Sequence, residues 1–199
     1  MSGVGGGHDL APGFADPVIG SQSAFRGVLE AMSRPGRVVT LSSLPAAPEP
    51  LDPATAALAL TLMDFDTPLW LDGAAMTESV IGYLKFHCGC PVTAEPGAAR
   101  FAIVAAAMPP LDTFDPGNDL YPDQSATVIL QVKSLAEGPR LRLTGPGIER
   151  DASAAVDGLP ADFLDQWAGN RTLYPLGVDM ILTCGEGFLG LPRSIELEG

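Results

Sequence analysis

The run FAIVAAA at residues 101–107 constrains the fold more than any other stretch. Its apolar residues follow one another without the polar alternation of a strand that keeps one face in water, so it reads as a strand buried on both sides. The rest of the chain supplies companions for it. TPLWL (67–71), ATVILQVKSL (126–135) and RLRLTG (140–145) read as further strands, the last two as successive strands joined by the turn AEGP. RVVTL (37–41) is a short one, and VDMILTC (178–184) with FLGLP (188–192) form a terminal hairpin around the turn GEG.

Helical patterns lie between these runs. In SQSAFRGVLEAMSRPG (21–36), Phe25, Val28, Leu29 and Met32 fall on one stripe, with Ser21 or Ser23 as cap and Pro35-Gly36 as stop. Asp52-Pro53 is a cap followed by a proline at the first helical position, and ATAALALTLMD after it is apolar nearly all round, as for a helix buried against a sheet. A third helix is expected from Thr77 to Cys88 with Val80, Ile81, Leu84 and Cys88 inward, and a short fourth in PADFLDQWAGN (160–170). Strands and helices interleave, which makes the class α/β, a mixed sheet flanked by helices. The expected organisation is a flexible glycine-rich leader over residues 1–16 and a single α/β domain over 17–199. The segment 108–125, MPPLDTFDPGNDLYPDQS, carries four prolines and five Asp or Asn residues and reads as a long loop of functional interest.

Charge narrows the partners. With 24 Asp and Glu against 11 Lys and Arg, the formal net charge is −13, a surface that repels nucleic acid and anionic lipid. A few arginines can still make a local anion pocket. The longest apolar run, AALALTLM at 56–63, is too short to span a membrane, and three cysteines do not make a secreted disulfide framework. A cytoplasmic location is the expectation.

Candidate chemistry is sparse. FHCGC (86–90) gathers a histidine and two cysteines, but His87 and Cys88 are adjacent on a helix and point about 100° apart. Gly89 terminates that helix, and one residue between sulfurs is not structural zinc spacing. A packed helix end without metal is the better reading. G-x-S-x-G, H-E-x-x-H and Walker fingerprints do not occur, so no catalytic residue is assigned. TGPGIERD (144–151) follows a strand and is glycine-rich, yet Pro146 removes a donor that a phosphate cradle needs, which favours an ordinary turn. Arg26 and Arg34, with Arg37 beside them, are candidate anion ligands; solvation or pairing with carboxylates is the competing account. His87 is the side chain suited to acid–base work at neutral pH, without a partner that can be named. The two lysines, Lys85 and Lys133, are the only ones available for a Schiff base, and neither is set up for one.

Four blocks, FRGVLEAMSRPG, LALTLMDFDTPLWL, ATVILQVKSL…LRLTGPGIE and YPLGVDMILTCGEGFLGLPR, occur in an order that resembles the PhnH family, the H subunit of bacterial carbon–phosphorus lyase. They span most of residues 24–193 and leave out the leader and the 108–125 loop. The resemblance implies a subunit that acts with sister subunits G and I and the ATP-binding subunit L to displace adenine from ATP with a phosphonate, giving a ribose 1-phosphonate 5-triphosphate. A radical S-adenosylmethionine subunit, J, later cleaves the carbon–phosphorus bond. It also implies a fold similar to pyridoxal-phosphate transferases without the cofactor, a homodimer, and a core complex with G, I and J. It carries over no catalytic residue. Arg26, Arg34 and His87 therefore remain candidate ligand contacts, and the expected role is mainly assembly.

Overall fold

The computed structural model describes residues 10–199. Its helices are α1 (Pro17–Ser33), α2 (Pro53–Leu62), α3 (Glu78–His87) and α4 (Phe163–Thr172). Its strands are β1 (Val39–Thr40), β2 (Leu69–Leu71), β3 (Phe101–Val104), β4 (Thr127–Gln131), β5 (Arg140–Thr144), β6 (Ala152–Ala155), β7 (Asp179–Cys184), β8 (Gly187–Leu191) and β9 (Glu196–Glu198). Six strands form one sheet in the order β1-β8-β7-β4-β3-β2. Strands β2, β3, β4 and β7 run parallel, while β8 and β1 are antiparallel to their neighbours, so the sheet is mixed and the class is α/β as the interleaved pattern predicts.

Register explains the unbroken apolar runs. Ile103, Ile129 and Ile181 lie side by side across β3, β4 and β7 and pack among residues of α1, α2 and α3. Their neighbours Val104, Leu130 and Leu182 form the matching row on the opposite face, in the core that holds Phe163 and Trp167 of α4. Each strand is thus covered twice, and an alternating strand would place a polar side chain in one of these cores. Trp167 is satisfied as well as buried: its indole donates to the Ile195 carbonyl at 3.1 Å.

A second sheet, β6-β5-β9, was not expected from the sequence. β5 joins it instead of following β4 in the main sheet. The partners are ASAA and ELE, short pieces with neither β-branched nor aromatic residues, so strand propensity gives no sign of them.

Helix α1 departs most from expectation. It starts four residues earlier, capped by Asp16, whose carboxylate accepts from the Val18 and Ile19 amides at 3.0 Å. The face it buries is Gly20, Ala24, Gly27 and Ala31, while Phe25 and Leu29 are exposed and Val28 and Met32 half-buried. Close approach is the reason. A Cβ on Gly27 would sit 3.1 Å from Phe188, and one on Gly190 would come 2.8 Å from the Ala31 backbone. The stripe of large residues is turned outward by a stripe of small ones that lets α1 approach α2 and β8.

Of the expected leader, residues 1–9 lie outside the described residues. Residues 10–16 lie against the body of the protein: Phe14 is buried, and the Pro12 carbonyl accepts from the Ala46 amide at 3.1 Å. Among the described residues no helix is long and apolar enough to cross a membrane.

Candidate functional site

The arginines and the glycine-rich turn, separate in sequence, share one shallow cleft of about 370 Å³. Arg34 and Arg37 line one side, Gly147, Ile148 and Glu149 the other. The turn presses so closely on the end of α1 that a side chain at Gly147 would overlap the Ser33 carbonyl, and its φ of +83° suits glycine alone. Arg37 is drawn to Glu30 at 2.9 Å, and Glu149 and Asp151 share the cleft. The carbonyl end of a helix adds partial negative charge. The potential there is mixed, with Arg34 the exposed cation that has no ion pair among the described residues. Arg26 is exposed on α1 two turns back.

His87 belongs to another place. It contacts Ala11 and Gly13, just ahead of the N-terminal end of α1, whereas Arg34 follows the C-terminal end. The 17 residues between make a helix about 25 Å long. Its Nε2 lies 3.0 Å from the Ala11 carbonyl, and its ring packs on Tyr83 and Phe86 with centroids 4.6 and 4.9 Å away. Gly89, at φ +69°, ends the helix as its position predicts. Just before it the Cys88 thiol donates to the Ala59 carbonyl at 3.6 Å; interaction with the neighbouring Cys90 thiol raises the Cys88 pKa, with help from burial, and lowers that of Cys90. Cys184 is elsewhere, its thiol donating to the Lys133 carbonyl at 3.4 Å.

Open α/β sheets place ligands at the carboxyl ends of their parallel strands. Here that edge is closed by its own polar groups. Asp72, just after β2, is buried, and its carboxylate accepts from the amides of Ala75, Ala105, Ala106 and Ala107 at 2.9–3.2 Å. Gln131, ending β4, donates to the Pro50 carbonyl at 3.0 Å and accepts from the Asp52 amide. Asp52 does not cap α2 with its side chain; it accepts from the Gly185 amide at 3.0 Å and so ties the helix start to the β7–β8 turn. Thr55 and Thr183 share a buried hydroxyl pair at 2.8 Å. Every one of these groups is used by the chain itself.

A cavity of about 360 Å³ lies on the other side of the sheet, between α4 and the loop that contains 108–116. The loop is ordered by its own anchors: Leu111 and Phe114 are buried, and the Leu111 amide donates to Gln166 of α4 at 2.8 Å. Further along, the Pro116 and Pro122 carbonyls accept from the Gly177 amide and the Arg193 guanidinium. Apolar walls from Leu111, Phe114, Leu173 and Val178 meet a rim with Asp112 and Asp162. Among the described residues no Lys, Arg or His lines it. Sequence reasoning singled out the loop and missed the cavity, along with Asp72 and Gln131. A helix-interior glycine, Gly169, was its one visible sign.

The profile of bacterial phosphonate metabolism proteins, PhnH, matches residues 12–198. The chain belongs to that family. It is 44% identical over 187 residues, covering 93% of this chain and 94% of the other, to the "Alpha-D-ribose 1-methylphosphonate 5-triphosphate synthase subunit PhnH" of Rhizobium meliloti (strain 1021). It is 34% identical over 183 residues, 89% of this chain and 87% of the other, to a "Putative C-P lyase subunit protein HtxG" of Stutzerimonas stutzeri. The family match includes the 108–125 loop that the four sequence blocks skip, so the loop and its cavity belong to the shared region.

Proposed function

We propose that this chain is a subunit of the carbon–phosphorus lyase system, needed for transfer of the ribose triphosphate of ATP to a phosphonate, and that its part is mainly assembly. The 44% identity across nearly the whole length of a synthase subunit carries the reading. The carboxyl edge supports the assembly role, because its polar side chains are engaged within the chain and leave no open constellation there. The protein works in the cytoplasm, joins sister subunits G, I and J, and depends on the ATP-binding subunit L. Purified alone it should neither consume ATP nor alter a phosphonate, and it should copurify with G, I and J when co-expressed. Turnover by the isolated chain would overturn this.

The homodimer is supported by the outward face of α1, where Val18, Ile19, Phe25 and Leu29 are exposed. That helix carries only Arg26 and Glu30 as charges, so two copies meeting there avoid stacking their −13 surfaces. Leu29→Glu should yield monomers by light scattering; an unchanged dimer removes α1 from the interface. A second reading, direct contact with a phosphonate or nucleotide through Arg26, Arg34 or His87, is favoured by the exposed Arg34 guanidinium in its cleft. Arg34→Ala should then weaken ligand binding in the assembled complex without dissociating it. A fold like pyridoxal-phosphate transferases without the cofactor belongs to the same proposal; an aldimine absorbance band on adding pyridoxal phosphate would contradict the cofactor-free part.

A further inference from the structure

We infer that the cavity between α4 and the loop at 108–116 is a socket for a bulky apolar side chain, flanked by lysine or arginine, on a sister subunit. Gly169 is the observation that carries this. It sits at an exposed position inside α4, where glycine costs about 0.8–1 kcal/mol relative to alanine, and it lines the cavity. Two reasons for a glycine, a left-handed backbone and a neighbour too close for a Cβ, are both missing. Its φ is not positive, and a Cβ built there meets nothing within 4 Å. A side chain at 169 would be tolerated by this chain and would stand in the open space beside the cavity lining. What the glycine preserves is open space for something from outside.

The lining says what that something is. The walls are apolar, and the volume of about 360 Å³ is of the size that takes an aromatic or branched side chain with its neighbours. A nucleotide or phosphonate is a poor occupant, because the rim bears Asp112 and Asp162 and no cation among the described residues lines the site. A second copy of the chain is poor for the same reason: loop 108–125 contributes four aspartates and no basic residue, and a copy brings a further −13. Charge complementarity therefore selects a different polypeptide with an apolar anchor beside basic residues, the usual make-up of an interface hot spot. The inference rests on the subunit role proposed above and gives that role a place.

The test uses the full chain co-expressed with sister subunits G, I and J. Gly169→Trp plugs the socket, and Gly169→Ala leaves most of it open. Gly169→Trp should fold as well as the wild type by thermal melting and assemble at least tenfold more weakly, while Gly169→Ala assembles normally. The double variant Asp112→Asn/Asp162→Asn leaves the walls intact and should weaken assembly about threefold with a flatter salt dependence; it decides the matter if the tryptophan variant does not fold. Normal assembly of both Gly169→Trp and the double variant overturns the socket and leaves the subunit role standing. A Gly169→Trp protein that loses self-association but keeps its sister subunits overturns it too, because the occupant is then a second copy. Failure of the wild type to assemble with any sister subunit overturns both.

Discussion

The carboxyl edge of the parallel strands and the cavity beside α4 treat their surfaces in opposite ways. At the edge, Asp72, Gln131, Asp52 and the Thr55–Thr183 pair are all hydrogen-bonded to other parts of the chain, mostly to backbone, and hold three loops and a helix start in place. At the cavity, apolar walls stand open beneath acidic rims, and a glycine occupies a helix position that alanine would fit. The first arrangement maximises stability of the isolated chain. The second gives some up. The difference teaches where to look for function in this protein: not at the strand ends that α/β enzymes use, but where the chain leaves stability ungained.

That contrast breaks most visibly at Asp72. Asp72→Ala strands four amide donors at once and should cost about 3–5 kcal/mol in urea unfolding. A cost below about 1 kcal/mol would mean that the loop at 105–107 relaxes into water and that the edge is not sealed. Next is the threonine pair. Thr183→Val leaves the Thr55 hydroxyl buried without a partner and should cost about 1–2 kcal/mol. Replacing both threonines by valine removes the orphan and should restore most of the loss. If the double variant is no better than the single, the hydroxyls are bonded to something else.

Gly169→Ala sharpens the other side of the comparison, with the opposite sign. It should stabilise the isolated chain by about 0.5–1 kcal/mol, since helix propensity improves and nothing is crowded. A destabilisation would show that the glycine is required by the fold, and the cavity would lose its strongest argument. One molecule should thus lose stability from a change at the edge and gain it from one at the cavity.

How far the sequence disclosed this follows from what each feature is made of. The doubly covered core was legible because FAIVAAA is apolar without alternation, a pattern that states its own burial. The direction of α1 was not. Periodicity put Phe25 and Leu29 inward by size, whereas burial went to Gly20, Ala24, Gly27 and Ala31, because contact distance between backbones, not residue hydrophobicity, settled the packing. β6 and β9 were invisible for want of strand-forming side chains and exist because β5 offers them edges. Asp72 looks like any aspartate after a strand until three amides from residues 105–107, more than thirty positions away, arrive at it. Arg34 and the 144–151 turn were each noticed, but only the tertiary fold brings them to one cleft.

The smallest effect concerns protons, and it too separates buried from open regions. Burial raises the Tyr83 phenol, with the Cys88 thiol adding to it; interaction with the neighbouring Cys90 thiol and burial raise Cys88; burial and Asp52 raise Cys184. A group that holds its proton more tightly when folded contributes stability that is fully present below its unfolded pKa and lost as pH climbs above it. With unfolded thiols near about 8.5 and phenols near about 10, the chain should keep its stability through neutral pH and lose it progressively above roughly pH 8.5. Cys90, lowered by its interaction with the Cys88 thiol, acts in the other direction and offsets part of the loss. Cys184 is the cleanest handle because it lies away from that pair. In Cys184→Ala, the difference between urea stabilities at pH 7.5 and pH 10 should shrink by the share of one thiol. Stability that rises across the same interval in the wild type would mean that these protons leave the folded chain first, and that the regions around Tyr83 and Cys184 are open to water.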